Sequence, residues 1–284
     1  MTSSQSKVVV VTGASGFIGR ACFNCLKRND YDVLRVGRSS SDDIYCDLAL
    51  PESLLSLNNL PDYEAFIHLG AHIGWDGSSL EDMYVPNVVS TALIADLAGK
   101  NNAHLIFASA AVIAGLNSEK ISASSENSPD TPYAQSKELA EQCIKASGVS
   151  SAVLRIGGVF GNNGPRHLGL NRTIQEALVG KPPQIFGTGT GKRNYIYVED
   201  LAPIIVQTVQ SRAMGTLLVS GHDVLSIAEM YQSVCDVFEL SSAPQSCPGD
   251  SSRSQVIISS PDYTGKSSFS ESLSSIKRLA TKPS

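Results

Sequence analysis

Val8-Val9-Val10-Val11-Thr12-Gly13-Ala14-Ser15-Gly16-Phe17-Ile18-Gly19-Arg20 decides how this chain is read. Four valines in a row have strong strand preference. A turn of small residues follows at once, and Ala21 to Lys27 reads as helix. Strand, glycine-rich turn and helix in that order is the context in which a glycine triplet signals a dinucleotide. Gly13 allows the tight turn, Gly16 removes a side chain where the backbone approaches a pyrophosphate, and Gly19 lets the helix lie close on the strand. The phosphates then sit on free N–H groups at the helix N-terminus. Gly13, Ser15, Gly16, Phe17, Ile18 and Gly19 are the candidate residues of that seat.

The 284 residues suffice for one large α/β domain or two closely joined ones. A net charge of −5 without a basic block argues against a nucleic-acid partner. The apolar runs are too short to span a bilayer. Met1 to Lys7 is polar and lacks an apolar signal core, so the expectation is a cytoplasmic protein. Cys22-x-x-Cys25 has the spacing of a redox or metal pair, but it falls in the first helix with no second pair or His cluster to match it. It reads as two packing residues, and no metal site is expected.

Further along, Tyr31 to Val36 is a second strand, ending in Gly37-Arg38-Ser39-Ser40-Ser41. An acidic residue about 20 positions past the glycines ordinarily takes the adenosine ribose 2′-hydroxyl of NAD. Here that place holds Arg38 among hydroxyls, which suits the 2′-phosphate of NADP. Asp42 and Asp43 stand close enough to leave NAD open. Ile44 to Leu48 reads as a third strand, Pro51 to Leu57 as a helix and Ala65 to Ala71 as a buried strand running into a loop. His72 to Tyr84 is irregular; its Trp75 either lines a pocket or covers the sheet. His104 to Phe107 is another buried strand, leading to Ala108-Ser109-Ala110-Ala111-Val112-Ile113-Ala114-Gly115, and Pro132 opens a helix.

Tyr133 and Lys137 stand four apart on that helix, hence on one face. A free phenol, with a pKa near 10, is a poor base at neutral pH. An ammonium beside it favours the phenolate, and the same lysine can reach ribose hydroxyls. A nearby serine can hydrogen-bond a substrate oxygen while hydride moves to or from the nicotinamide.

These stretches together resemble the extended short-chain dehydrogenases/reductases, the family of NAD(P)-dependent nucleotide-sugar epimerases, dehydratases and reductases. Thr12-Gly13-Ala14-Ser15-Gly16-Phe17-Ile18-Gly19 resembles the cofactor loop. Asp47-Leu48 resembles the pair that meets the adenine. His68-Leu69-Gly70-Ala71 resembles a segment whose small residues let the backbone pass the cofactor, which makes Leu69 and Ala71 candidates. Asn87-Val88-Val89-Ser90-Thr91 resembles a helix start whose asparagine bridges backbone strands near the active site. The resemblance implies Ser109, Tyr133 and Lys137 as catalytic residues, the last two also touching cofactor. In the family the strand ends in Ser or Thr four residues before the Tyr of a Val-Tyr-Gly-like turn, which is missing here. Setting Val112-Ile113 in its place selects Ser109; setting Gly115 as the turn glycine puts Ala110 there. Ser109 is the only hydroxyl of the segment.

The second half carries weaker likenesses. Leu154-Arg155-Ile156-Gly157-Gly158-Val159-Phe160-Gly161 resembles a Leu-Arg-x-x-Asn-Val-Tyr-Gly segment, with Gly158 replacing the asparagine. Gln184 to Ala202 resembles the hairpin and helix start of sugar-nucleotide-modifying members, with Arg193 implied to meet phosphate or sugar and Glu199-Asp200 to cap the next helix. Asn171 lies where the family often contacts the nucleotide diphosphate, or else caps a helix. Arg253 is implied to reach the diphosphate. Ser226-Ile227-Ala228-Glu229 has the pattern of a capping box.

The expected fold is α/β: a doubly wound parallel sheet (Rossmann) with a smaller C-terminal substrate lobe. Residues 1–165, with a returning segment about 192–212, would form the dinucleotide-binding domain, and 166–284 mainly the substrate-binding lobe. Ala110-Ala111 stand where the family's dehydratases carry Asp-Glu, so dehydration is disfavoured. The expectation is an NADP-dependent reductase of a keto nucleotide sugar, at C4, with NAD also open as cofactor. The alternatives are a nucleotide-sugar 4-epimerase holding NAD(P), a reductase of small carbonyl compounds and a non-catalytic NAD(P)-binding regulatory protein. No nucleic-acid or membrane partner is expected. The resemblance implies a homodimer.

Overall fold

The structure, a computed structural model, describes residues 7–74 and 77–281; Trp75 lies outside the described residues. The valine run forms β1 (Val8–Thr12), whose Val9, Val10 and Val11 are fully buried. Each such side chain contributes about 1.5–3 kcal/mol by leaving water. α1 (Phe17–Arg28) follows and buries Ala21, Cys22, Cys25 and Leu26, the spacing of one helical face. Cys22 and Cys25 are packed in this core and are not joined in a disulfide. The described residues hold no cluster of metal-ligating side chains, and none of their helices is long and apolar enough to cross a membrane.

β2 (Asp32–Gly37), β3 (Ile44–Tyr45), β4 (Ala65–His68), β5 (His104–Ala110), β6 (Ser151–Ile156) and β7 (Gly215–Val219) complete a seven-stranded sheet of order β7-β6-β5-β4-β1-β2-β3. β1 pairs in parallel with β2 and β4, β4 with β5, and β2 with β3. The chain therefore winds outward in both directions from β1. The reversal lies between the carboxyl ends of β1 and β4, where open sheets of this kind take their ligands.

β3 is shorter than its apolar run suggests. The Asp47 amide donates to Ser53 Oγ at 2.7 Å and its carboxylate accepts from the Ala49 amide at 3.0 Å, turning the chain out of the sheet. Pro51–Asn59 then forms 3-10 helix. Asn87 does not start a helix. Ser79 starts it, with a capping box to Asp82. Leu80–Met83 and a π-helical turn, Tyr84–Val89, lead into α2 (Ser90–Lys100). Pro86 lies in the widened turn, as expected of a residue without an N–H to give. α3 (Pro132–Ser147) opens on the Thr131 cap, its hydroxyl accepting from the Ala134 amide, with Pro132 in the first turn.

The chain divides into two compact units. The first contains the residues up to Gly115, Asn127–Arg155 and Ala202–Leu217; the second contains Leu116–Glu126, Ile156–Leu201 and the residues from Leu218 onward. The segment returning to the first unit is thus 202–217, and 192–201 belongs to the second. The second unit contains α4 (Gly169–Ala177), the start of α5 (Val198–Ser211), α6 (Ile227–Phe238) and α7 (Phe269–Ala280). Its strands pair in twos. Gln184–Phe186 pairs with Gln245–Cys247, and Lys192–Arg193 with Leu225–Ser226. The hairpin expected over 184–193 is therefore absent: Gly187 and Gly189, at φ +68° and +67°, turn the chain so that each strand finds a later partner. Glu199 and Asp200 stand in the first turn of α5, and the Asp200 carboxylate accepts from Ser267 N and Oγ, both at 2.8 Å. Ser226 and Ser268 do form capping boxes, with Glu229 and Glu271.

Candidate functional site

At the end of β1 the backbone itself fills the available space. Gly13 has φ +69°, and a Cβ there would lie 2.9 Å from the Gly70 amide nitrogen, on the loop after β4. A Cβ on Gly19 would lie 2.0 Å from the Gly13 carbonyl oxygen. Gly16 is the N-cap of α1; no side chain caps that end and no acidic residue occupies the first turn. The first amides of α1 are thus left for an anion. A dinucleotide's pyrophosphate fits this cradle. Ser15, Phe17 and Ile18 are half-buried around it.

Beside the turn, a cavity of about 420 Å³ is lined by Ser15, Arg20, Asn24, Arg35, Ser39 and Ser41, among others. Arg20 Nη1 donates to the Ser15 carbonyl at 2.7 Å. Arg35 is held by Asp43 through two charged hydrogen bonds, at 3.0 and 2.9 Å. Arg38 is not part of this cavity's lining. Its side chain is 72% exposed and lies 3.7 Å from Asp47, whose own side chain is 20% exposed. Leu48, Leu69 and Ala71 are half-buried, and the Leu48 Cδ1 packs where a side chain on Gly70 would go.

The next group of polar side chains stands at the carboxyl ends of β4 and β5. Asn87 accepts from the His72 amide at 2.7 Å and donates to the His72 carbonyl at 2.8 Å and to Ser136 Oγ at 2.9 Å. It thereby ties the loop after β4 to α3, between Tyr133 and Lys137. His68 is fully buried, with Thr12 Oγ1 at 2.6 Å and Thr91 Oγ1 at 3.0 Å from its two ring nitrogens. Burial pushes its pKa down to about 3, with help from Lys137. Lys137 is 2% exposed. Its Nζ donates to the Ala108 carbonyl at 2.8 Å and lies 4.4 Å over the Phe107 ring. Burial pulls its pKa down to about 7, against the opposing charge of Glu141.

Tyr133 differs from the expectation for a lysine-activated phenol. Burial pushes its pKa up to about 12. The Lys137 nitrogen stands 5.9 Å from its ring centroid, engaged with Phe107 and Ala108 instead. In this arrangement Tyr133 is held in its protonated form.

Ser109 is 4% exposed, and its hydroxyl donates to Glu141 Oε1 at 2.5 Å. Gly115 ends the turn after β5 at φ +93°, where a Cβ would lie 2.9 Å from the Ser128 carbonyl oxygen. Gly115 therefore has the strained backbone a turn glycine supplies, and the residue preceding the turn in that register is Ala110. Glu141 and its partner Arg155 escaped the sequence reading. The visible signal was spacing: Tyr133, Lys137 and Glu141 recur every fourth residue on one face of α3.

In the second unit, Arg193 Nη1 donates to the Lys192 and Arg253 carbonyls, so two of the three residues implied to hold substrate meet there. Arg253 Nη1 donates to Asn117 Oδ1 at 3.0 Å. Asn171 is apart from them and neither caps a helix nor stands open. It is 1% exposed, accepts from the Gly161 amide and donates to the Val159 carbonyl, both at 3.1 Å. Tyr195 packs where a side chain at Gly158 would stand, its Cε1 2.1 Å from that Cβ position. Its hydroxyl shares a hydrogen bond with Arg193.

Known proteins resemble this chain in sequence and in fold. The model of the NAD dependent epimerase/dehydratase family matches residues 9–219. A putative UDP-glucose 4-epimerase of Methanocaldococcus jannaschii is 28% identical over 217 residues, covering 69% of this chain and 71% of that protein. Among solved structures, the UDP-N-acetylglucosamine 4-epimerase of Bacillus cereus superimposes with a TM-score of 0.85 at 21% identity, covering 98% of this chain and 100% of the other. The dTDP-4-dehydrorhamnose reductase of Yersinia enterocolitica gives 0.80 at 18% identity, covering 97% and 100%. The structural likenesses bear on the fold.

Proposed function

Because the chain belongs to the NAD-dependent epimerase/dehydratase family, matched over residues 9–219, we propose that it is an NADP-dependent reductase of a keto nucleotide sugar, acting at C4. The observation that carries this reading is Tyr133, a half-buried phenol in the first turn of α3, one turn from the buried Lys137. A reductase needs an acid to deliver a proton to the carbonyl oxygen as it gains negative charge. When bound, the dinucleotide supplies the hydride from C4 of its nicotinamide. Tyr133 gives the proton. Lys137, fixed by Ala108, stabilises the phenolate that remains and is itself available to ribose hydroxyls. Asn87 keeps the loop after β4 and the start of α3 in register around the pair.

Phosphate recognition supports the same reading. The amides of Phe17 and Ile18 would hold the pyrophosphate, with Gly13, Ser15, Gly16 and Gly19 shaping the turn; the Gly16 amide itself donates to the Gly13 carbonyl at 2.9 Å. Leu69 and Ala71 would line the cofactor's path, and Asp47 and Leu48 would meet the adenine. The cavity beside the turn, with Arg20, Ser39 and Ser41, has the charge and hydroxyls a 2′-phosphate needs. Arg38 would cover the adenine while paired to Asp47. In the second unit, Arg193 and Arg253 would take the substrate's diphosphate, and Asn171 would hold the loop 159–161 beneath it. The second reading, a 4-epimerase, is favoured by the likeness to the putative UDP-glucose 4-epimerase of Methanocaldococcus jannaschii.

The two readings differ in stoichiometry. A reductase oxidises one NADPH for each 4-keto nucleotide sugar consumed, and Tyr133→Phe lowers kcat by about 10²–10⁴-fold while NADPH still titrates. Turnover on a tightly retained dinucleotide, with no net change in its redox state, overturns the reductase in favour of the epimerase. A Tyr133→Phe rate within tenfold of the parent overturns both.

A further inference from the structure

Directly behind Lys137 lies a buried ion pair that the proton transfer above does not use. Glu141 stands one turn beyond the lysine on α3. From β6, Arg155 approaches it in bidentate fashion, Nε to Oε1 at 3.0 Å and Nη2 to Oε2 at 2.7 Å. Their side chains are only 10% and 15% exposed. The Ser109 hydroxyl adds a third charge-assisted bond, at 2.5 Å. A buried ion pair is weak evidence for stability, since desolvation offsets much of its attraction. Its place is more informative. Lys137 is a buried ammonium that donates to the neutral Ala108 carbonyl, and a buried charge requires a counter-charge nearby.

We propose that Glu141, clamped by Arg155 and Ser109, is a positioning residue for Lys137: it holds the lysine in its charged form and in place over Phe107, behind the proton donor. The proposal rests on the Tyr133–Lys137 reading. It also gives Ser109 a definite task, since a hydroxyl has one proton and this one goes to Glu141 rather than to a substrate oxygen. Glu141 opposes the effect of burial on Lys137.

Arg155 offsets part of the Glu141 charge, and among the described residues no other anion on the elements packed against α3 is placed to take this role. His68 on β4 is neutral, its pKa pushed down to about 3, and Tyr133 is an uncharged phenol. On the other elements packed against α3, Glu81, Asp82 and Tyr84 are exposed, and Asp82 caps Ser79. Asp96 pairs with Lys100 at 2.6 Å, and His104 bonds Ser150 at 2.9 Å. On α3 itself, Glu138 bonds Asn127 at 2.9 Å and Lys145 is exposed at the far end.

The test is the titration of Lys137, read from the Cε resonance of 13C-lysine-labelled protein and assigned with Lys137→Met. Glu141→Gln is compared with the double variant Glu141→Gln/Arg155→Met, which leaves no guanidinium orphaned and keeps the volume filled. Melting curves establish that the double variant folds. The expected result is a midpoint lowered by about one pH unit in both, a tenfold loss of proton affinity. An unchanged midpoint in the folded double variant overturns the proposal and reduces the cluster to packing. This readout needs neither cofactor nor turnover. A normal Tyr133→Phe rate would therefore sink the catalytic reading while leaving the titration result standing.

Discussion

Gly13, Gly16 and Gly19 close the end of β1 with no side chains at all, whereas His68, Lys137, Glu141 and Arg155 fill the ends of the neighbouring strands and α3 with buried polar ones. In the first region the constraint is steric and local. Carbonyl oxygens and amides of the same turn, and of the adjoining Gly70 loop, stand where a Cβ would be. In the second region the constraint is electrostatic and distant. Arg155 is recruited by Glu141 from 14 residues along the chain, and Ser109 reaches the same carboxylate across 32. One region tolerates no added atom; the other tolerates no removed partner.

The largest effect expected from breaking this contrast is at Gly19. Gly19→Ala puts a methyl 2.0 Å from the Gly13 carbonyl oxygen, which is backbone and cannot swing aside. The cost should exceed about 4 kcal/mol, seen as a collapsed melting temperature and a lost NADPH titration. Near-normal melting would mean that the turn is softer than its geometry implies.

The polar layer is tested next by acid. His68 is buried neutral, with a pKa held near 3 rather than the ordinary 6.5. Below pH 6.5 the unfolded chain takes up a proton that the folded one refuses, so stability is complete above that value and declines as pH falls toward 3. Across the whole window this amounts to about 5 kcal/mol. His68→Gln should flatten that part of the melting-temperature profile between pH 7 and pH 4 relative to the parent. Parallel profiles would assign the acid loss to other groups.

The smallest effect belongs to the exposed edge of the glycine region. Arg38 faces Asp47 at 3.7 Å with 72% of its side chain exposed, so Arg38→Ala should change stability by less than about 0.5 kcal/mol. Arg20→Ala should weaken NADPH about tenfold, the size of one charged hydrogen bond, while hardly altering NADH. If the Arg38 variant instead loses NADPH selectivity and the Arg20 variant keeps it, the phosphate is bound at the end of β2 and not in the cavity beside α1.

The two regions also differ in how far they can be read from the chain. Val8 to Gly19 specifies strand, turn and helix because every interaction it needs lies within a dozen residues. Asn87 was marked by the family resemblance and not by local pattern; in the structure it bonds the His72 backbone and Ser136. The hairpin expected over 184–193 was misread because glycines permit a turn without choosing a partner strand, and the partners came from 225–226 and 245–247.

What local pattern settled was the alternation of strand and helix, the glycine cradle, and Tyr133 and Lys137 on one helical face. These follow from short-range sterics and helical periodicity. Tertiary structure decided the electrostatics. It enclosed Lys137 and half-buried Tyr133, so that the phenol is held up near 12 and the ammonium down near 7. It turned the Ser109 hydroxyl to Glu141 and set Arg155 against that carboxylate. A pKa depends on how much water is removed and which charges remain within a few ångströms. Both are set only when β5, β6 and α3 pack together.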